Sequence, residues 1–382
     1  MRVSGHFLRS VRTLQSAWIV GFSCIAGCYS PQTRNIDSGV PVSVATAESS
    51  SAAQIATAPA AVAIVPPPRG SDSSTPDVPP SGVETWVVHT RACEQKLGSD
   101  PWSSINIARL DEWGGPLHVS EPDALLARMT GRPSVFFIHG NGYTFRSAVD
   151  EAIKIRAELE TNGGLPPETL FVVFDWPSEG ESTDLIVDLN EQARRSRVAA
   201  YHFARFLQSS PPGSRICLMG NSNGGRIVLT TAHLLAGATL QPFWREPAVQ
   251  LSSGRPDLRL RAVVLDTAAG HHWLNPGERL DQALPMCESL LNLRNCADFA
   301  LSVYIFGVYT GLRPAPGQVG LLAGDLRRLG PLSARVEQIN MHALVGFSHT
   351  AFPQALDIPS IAQRIAHYTS WSEMSLPATV RR

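Results

Sequence analysis

The stretch RICLMGNSNG at residues 215–224 joins a short apolar run to the pattern Gly-x-Ser-x-Gly. Such a run is typical of a buried parallel strand, and residues 226–235 after it favour a helix. Between a strand and a helix, a serine in this pattern occupies a strained turn that exposes its hydroxyl as a nucleophile. Gly220 and Gly224 suit that turn because they carry no side chain that would separate strand from helix. We therefore predict that Ser222 is a nucleophile; the alternative is an ordinary serine in a glycine-rich loop.

Outward from this stretch, apolar strand-like runs alternate with helical patterns, which predicts a mostly parallel central sheet flanked by helices. The predicted strands are 84–89, 134–138, 170–174, 216–219, 260–265, 301–306 and 337–341. The predicted helices are 145–160, 189–207, 225–235, 320–329 and 358–368. Residues 242–256 and 271–297 do not fit the alternation, and we interpret them as excursions over the carboxyl ends of the strands. The pattern predicts one α/β domain over residues 83–372, followed by a tail at 373–382.

A nucleophilic serine needs a base, and on a fold of this kind the base comes late in the chain. His349 follows the last predicted strand in the glycine-containing loop Gly-Phe-Ser-His. His342 is the rival, but it falls in the apolar run INMHALV, where a histidine more often has a structural role. We predict His349 as the base because a loop position suits a side chain that must move a proton.

The carboxylate that orients the base usually follows a late strand, but the segment GVYTG after the predicted strand 301–306 contains none. Asp266 directly follows the strand 260–265, where an Asp can also simply form a turn. We predict Asp266 as the acid, since an imidazole base without a buried carboxylate loses control of its tautomer. The turn LDTAAG at 265–270 also resembles the Leu-Asp-Pro-Ala-Gly segment of pancreatic-type lipases, whose acid stands one strand earlier than usual.

An oxyanion hole on this fold uses two backbone N–H groups, one from the residue after the nucleophile and one from an early loop. Asn223 supplies the first. The second comes from Asn141 or Gly142 in the turn His-Gly-Asn-Gly, and Asn141 is our prediction. His139 in this turn is interpreted as a structural brace, and Asp175 in the turn Asp-Trp-Pro-Ser as a turn-forming residue.

These motifs together resemble a family of bacterial α/β-hydrolases formerly catalogued as a domain of unknown function. The segments that carry the resemblance are WVVHTRAC (86–93), FFIHGNG (136–142), FDWPSEG (174–180), a helix with Arg194, Arg195 and Ala199, and GNSNGG (220–225). The resemblance covers roughly residues 83–350 and implies an α/β-hydrolase fold with a serine nucleophile. Two features depart from the family pattern: Asn221 replaces the usual His before the serine, and the usual late acid is missing.

The N-terminus has the pattern of a bacterial lipoprotein signal peptide. Residues 1–27 combine three arginines with the apolar run 17–27, which is too short to span a bilayer. The sequence Ile-Ala-Gly before Cys28 resembles a lipobox, which predicts lipidation of Cys28; the alternative is an ordinary secretory signal. Residues 28–82 form a tether rich in Pro, Ala and Ser that cannot build a core. We expect an exported protein anchored to the cell envelope, and Tyr29 after the cysteine favours the outer membrane.

An oxidising compartment allows disulfides, and Cys287 and Cys296 lie close together in a loop-rich stretch, so we predict a disulfide between them. No cysteine spacing resembles a zinc site. His271 and His272 lack a third ligand at metal-binding spacing, so we predict no metal. Aromatic residues of the excursions are candidates for the rim of an acyl-chain site, namely Phe243, Trp244 and Trp273.

The 382 residues are 43% hydrophobic and 17% charged, with a formal net charge of -1, so no basic patch indicates nucleic acid. The sequence predicts a lipid-anchored serine hydrolase of the carboxylesterase or lipase type, acting on a small-molecule ester or acyl substrate without a cofactor. The alternative is a hydrolase-fold lipoprotein that has lost turnover and acts as a surface binding or scaffold protein, which the missing late acid would explain.

Overall fold

The computed structural model describes residues 82–110, 117–180, 182, 184–242, 246–304 and 313–371. The predicted signal peptide, Cys28, nearly all of the tether and the tail at 373–382 lie outside the described residues, as do Phe243 and Trp244. No helix in the described ranges combines the length and apolar character needed to cross a membrane.

The described residues form a nine-stranded, mostly parallel sheet. Its strands are β1 (Glu84–His89), β2 (Asn106–Leu110), β3 (Leu117–Ser120), β4 (Ser134–Ile138), β5 (Leu170–Asp175), β6 (Arg215–Asn221), β7 (Arg259–Leu265), β8 (Cys287–Arg294) and β9 (Val336–Asn340). The strand order is β3-β2-β1-β5-β4-β6-β7-β8-β9, and only β2 pairs antiparallel, with β1 and β3. The parallel strands bring their carboxyl ends to one edge of the sheet, where sites in such folds form.

Helices cover both faces of the sheet because the apolar strands alternate their side chains between two cores. On β4, Phe136 and Ile138 join one core, while Val135 and Phe137 join the other. The helices are α1 (Pro122–Arg128), α2 (Phe145–Thr161), α3 (Leu185–Gln208), α4 (Asn223–Leu235), α5 (Ala283–Met286), α6 (Phe299–Tyr304), α7 (Pro316–Val319), α8 (Ala323–Leu329), α9 (His342–Val345), α10 (Phe352–Leu356) and α11 (Pro359–Thr369). Residues of α3 and α4 pack in the first core, and residues of α2 and α11 in the second.

The predicted strand 301–306 is wrong over residues 301–304, because Phe299–Tyr304 is the helix α6; residues 305 and 306 lie outside the described residues. Asp298 precedes this helix, and its Oδ1 accepts a hydrogen bond of 3.1 Å from the Leu301 backbone N–H. A cap of this kind satisfies an amide that the first helical turn leaves open, and it outweighs the strand preference of the sequence LSVYIF. The strand that takes this place in the sheet is β8, which lies inside the stretch interpreted from sequence as an excursion.

The predicted disulfide is also wrong: Cys287 and Cys296 are both free thiols. Cys287 begins β8, and Cys296 follows the far end of the same strand. At about 3.3 Å per residue, the strand alone separates its ends by roughly 23 Å. A disulfide requires Cα atoms within about 7 Å of each other.

Candidate active site

The strained turn predicted around Ser222 lies between β6 and α4. Ser222 has φ 54° and ψ -118°, a conformation that only a few non-glycine residues adopt. Its N–H donates to Leu265 O at 2.9 Å, and its carbonyl accepts from Ala268 N at 3.1 Å. These bonds tie the turn to the end of β7. The Ser222 hydroxyl forms no hydrogen bond within the described part of the chain.

The glycines of the motif are required by close backbone contacts. A Cβ atom on Gly220 would lie 2.4 Å from Gly224 O, and one on Gly224 would lie 2.2 Å from Ile138 O. Neither space admits a side chain, so any other residue would push α4 away from the sheet. The two glycines therefore place Ser222 at the carboxyl edge of the sheet, beside the end of β4.

His349 lies in the loop after β9 and is hydrogen-bonded to Asp298. Its Nδ1–H donates to Asp298 Oδ2 at 2.6 Å, and the Asp298 side chain is fully buried while that of His349 is 31% exposed. Because the other Asp298 oxygen caps α6 through Leu301, the carboxylate is held in one orientation. The pair therefore has the geometry in which a carboxylate fixes the tautomer of an imidazole base.

The prediction that Asp266 orients His349 is wrong in its geometry. Asp266 follows β7 as expected, but its Oδ2 accepts from the Thr350 backbone N–H at 2.8 Å, and His349 instead pairs with Asp298. Asp298 follows β8, so a carboxylate does occupy the late-strand position, which the segment GVYTG could not supply. The three side chains nevertheless stay close, with one ligand atom of each within 4.8 Å of the others.

The charge on His349 is favoured by its surroundings. Burial alone would lower the pKa of His349, but the hydrogen bond and charge of Asp298, with the charge of Asp266, raise it above its ordinary value. A base of raised pKa binds a proton strongly, so it can take one from a serine hydroxyl as attack proceeds.

A buried asparagine holds the loop that carries His349. The Asn295 side-chain amide donates to Gly346 O at 2.9 Å and to Ser348 O at 2.7 Å. Its backbone N–H donates to Gly317 O at 2.8 Å, and the side chain is completely buried. Asn295 lies three residues before Asp298, so the short segment after β8 positions both Asp298 and the loop of His349.

The turn after β4 lies against Ser222. A Cβ atom on Gly140 would lie 3.3 Å from Ser222 Cβ. Of the two residues left open as the second oxyanion donor, Gly142 already donates its N–H to Ser178 O at 2.7 Å. Asn141 is joined to the turn of Ser222 by a hydrogen bond of 2.8 Å from Asn223 Nδ2 to its Oδ1. The geometry thus favours the Asn141 amide, while Asn223, as the first helical residue, has no intrahelical acceptor for its N–H.

A buried ion-pair network braces this turn from beneath. The Asp175 carboxylate, fully buried at the end of β5, accepts from His89 Nδ1 at 2.6 Å, from Arg91 Nε at 2.8 Å and from His139 Nε2 at 3.1 Å. Arg91 also donates to Tyr143 O at 2.8 Å. Burial alone would raise the pKa of Asp175, but the hydrogen bonds from His139, His89 and Arg91 hold it well below its usual range. His139 thus braces the loop as expected, and Asp175 does more than form a turn.

The remaining candidates lie outside this site or serve its structure. His342 Nδ1 lies 3.1 Å from Gly346 O. His271 pairs with Asp325, with 2.7 Å between Nδ1 and Oδ2. The guanidinium of Arg226 lies over the ring of Trp273, with 5.4 Å between Arg226 Cζ and the ring centroid. Among the described residues, one group of three side chains could hold a metal ion, namely Asp266, Asp298 and His349. The hydrogen bond between His349 and Asp298 favours an acid–base role for this group instead.

Comparison with known proteins supports the fold. Residues 124–258 match the model of a family described as alpha/beta hydrolase of unknown function. No curated protein matches the sequence.

Solved structures with detectable likeness include an inhibited esterase B from Lactobacillus rhamnosis, at 12% identity over 76% of this chain and 85% of that chain, with a TM-score of 0.37. An acetyl xylan esterase is similar at 16% identity over 62% of this chain and 98% of that chain, with a TM-score of 0.35. Acyl-protein thioesterase 2 from Zea mays is similar at 16% identity over 63% and 94%, with a TM-score of 0.31. At these scores the likenesses carry no argument about activity. The sheet and the matched segment agree that the chain has the α/β-hydrolase fold and is similar to the family of that fold whose function is not known.

Proposed function

We propose that the protein is a serine hydrolase that cleaves an ester-like bond, with Ser222 as nucleophile, His349 as base and Asp298 as acid. The observation that carries the proposal is the hydrogen bond of 2.6 Å between His349 and the buried Asp298, on the same sheet edge as the strained serine turn. A binding protein without turnover has no need for a histidine and a buried carboxylate in this relation.

In the proposed reaction, Ser222 Oγ attacks the carbonyl carbon of the substrate while His349 Nε2 accepts the hydroxyl proton. Asp298 stabilises the imidazolium that forms. The carbonyl oxygen becomes an oxyanion, which the N–H groups of Asn223 and Asn141 stabilise; one such donor is typically worth about 10²–10³ in rate. His349 then gives its proton to the leaving alcohol, and water, activated by the same histidine, releases the acid from the acyl-enzyme.

The scaffold alternative loses its support in the structure. It depended on the absence of a carboxylate after the late strand, and Asp298 occupies that position beside His349. A carboxylesterase or lipase-type substrate fits the mechanism best, and the same steps serve a thioester or an amide.

We expect a fluorophosphonate probe to label the wild-type protein on Ser222, because only an activated serine attacks the phosphorus atom at a useful rate. Labelling is measured by mass spectrometry of the modified peptide, and turnover with p-nitrophenyl esters of increasing acyl length. The variant Ser222→Ala should lose both signals. Ser134→Ala is the matched control, since Ser134 is a buried serine at the opposite edge of the sheet, at the start of β4. A wild-type protein that neither labels nor turns over any ester would refute the proposed function.

We also propose that the mature protein is anchored to the cell envelope, in the outer membrane, through lipids on Cys28. The support is the sequence pattern of residues 1–28. Two or more acyl chains make such an anchor stable, because each buried methylene contributes about 0.8 kcal/mol. Mass spectrometry of detergent-extracted protein should show a mature chain that begins at a diacylated Cys28. A chain cleaved elsewhere, or one without lipid, would contradict the anchor and leave the hydrolase proposal intact.

A further inference from the structure

A second buried carboxyl group lies beside the His349–Asp298 pair. Asp266 is fully buried, and one atom of its carboxylate lies within 4.8 Å of the facing atoms of both Asp298 and His349. Its Oδ2 accepts from the Thr350 N–H at 2.8 Å, while its Oδ1 has no hydrogen-bond partner in the described residues. A buried carboxylate oxygen left without a partner is costly, so its presence next to an acid–base pair points to a role there.

The backbone holds Asp266 in this place. Its φ of 44° is in the left-handed region, which few residues other than glycine adopt. Its N–H donates to Leu293 O at 3.0 Å, and a Cβ on Gly317 would lie 2.6 Å from its Cα. The backbone of the turn is therefore locked between β8 and α7, and the carboxyl group cannot swing away from the His349 loop without breaking its hydrogen bond with the Thr350 N–H.

The groups that face the Asp266 carboxyl from the neighbouring elements decide its charge. Burial raises the pKa of Asp266 to about 7, with a further upward contribution from the charge of Asp298, against the downward effects of the Thr350 N–H, of His349 and of the Asn295 N–H. The titratable neighbours are Asp298, from the loop after β8, and His349, from the loop after β9. Thr350, Asn295 and Gly317, which also pack against Asp266, carry no titratable side chain.

We propose that Asp266 is a positioning residue for His349: it holds the backbone of the His349 loop at Thr350, and its negative charge stabilises the protonated imidazole. The inference rests on the proposed function, which makes His349 the base. Two carboxyl groups then share one imidazole. Asp298 fixes the ring by a direct hydrogen bond, and Asp266 acts through the adjacent backbone and through space.

The substitution Asp266→Asn separates the two roles. An amide oxygen still accepts from Thr350 N–H, so the loop stays in place, but the negative charge is gone. The imidazole of His349 should then lose its proton at a lower pH, and the acid limb of the kcat/KM profile should move down by about half a pH unit or more. Asp266→Ala also removes the acceptor for Thr350, so it should lower kcat/KM further than Asp266→Asn at every pH.

Nuclear magnetic resonance titration of the His349 ring gives a readout that does not depend on turnover. The pKa of His349 should fall in Asp266→Asn and stay unchanged in Asp325→Asn, the matched change in the separate buried pair with His271. The wild-type protein needs no substitution: its His349 signal should show two titration steps, one of its own and one from Asp266.

Identical His349 titrations in wild type and Asp266→Asn, or a single-step wild-type curve, would overturn the inference. The two proposals fail separately. Labelling of Ser222 with an unshifted His349 refutes the role of Asp266 and keeps the hydrolase, whereas a shifted His349 without labelling supports the contact and refutes the hydrolase.

Discussion

Asp298→Asn is expected to lower kcat/KM with p-nitrophenyl esters by roughly 10³–10⁴-fold, because His349 would lose the acceptor that fixes its tautomer. The amide can present an N–H group to His349 Nδ1, and the ring then adopts the tautomer that cannot take the serine proton. Asparagine remains a good helix cap, so the Leu301 contact and α6 should persist. The loss should therefore appear in kcat/KM, which is obtained from initial rates between low and saturating substrate concentrations. The melting temperature should change little.

Two matched variants serve as controls for Asp298→Asn. Asp325→Asn makes the same change in another buried Asp–His pair and should retain the activity of the wild type. Asp266→Asn should shift the pH profile and keep most of the activity. The reverse pattern, with Asp298→Asn near wild type and Asp266→Asn inactive, would show that Asp266 is the acid after all.

The sequence predicted the centre of the sheet well. The central parallel strands are buried on both faces and therefore appear as continuous apolar runs, and β1 and β4 have the predicted bounds. The turn around Ser222 could be predicted because backbone atoms lie so close to its glycines that no other residue fits there. These features depend on local steric constraints, which can be recognised from a single sequence.

Asp298 could not be predicted as the partner of His349 because the strand before it, β8, lacks a continuous apolar pattern. β8 carries Glu288, Asn292 and Arg294 among its leucines. Asn292 is buried, and its side-chain amide donates a hydrogen bond of 3.1 Å to Pro316 O. Polar residues that find partners only in the folded protein interrupt the apolar pattern. Meanwhile the segment after it has strong strand preference but folds as α6. The available signal was Asp298 itself, an Asp three residues before a buried Leu301, which is the spacing of a helix cap.

β2, β3 and the network beneath the turn after β4 could not be predicted for a related reason. β2 and β3 are partly exposed, so they lack the continuous apolar pattern of the inner strands. The contacts of Asp175 join three distant parts of the chain, through Arg91 and His139. No local sequence pattern predicts these long-range contacts, because they form only when β1 and β4 pair with β5.

Asp175→Asn is expected to destabilise the fold by about 3–5 kcal/mol, the usual effect of removing one partner from a buried ion pair. Asp175 is fully buried, and the neutral amide leaves Arg91 and His139 without the buried negative charge that they share, although one oxygen can still accept a hydrogen bond. Asp150→Asn is the control, since Asp150 forms an exposed pair with Arg146 at 3.0 Å, and such pairs contribute about 0–1 kcal/mol. The measurement is the midpoint of urea unfolding at constant slope.

The pH dependence of that difference follows from the lowered pKa of Asp175. A carboxylate whose pKa is depressed on folding contributes its stability above the pKa of the unfolded chain, about 4, and loses it as the pH falls further. The gap between wild type and Asp175→Asn should therefore be constant near neutral pH and shrink below pH of about 4. Because Arg91 and His139 also hold the turn of Asn141, any turnover of p-nitrophenyl esters should fall with the stability. Equal unfolding midpoints for Asp175→Asn and Asp150→Asn would show that the network is not structural, and the turn would then need another brace.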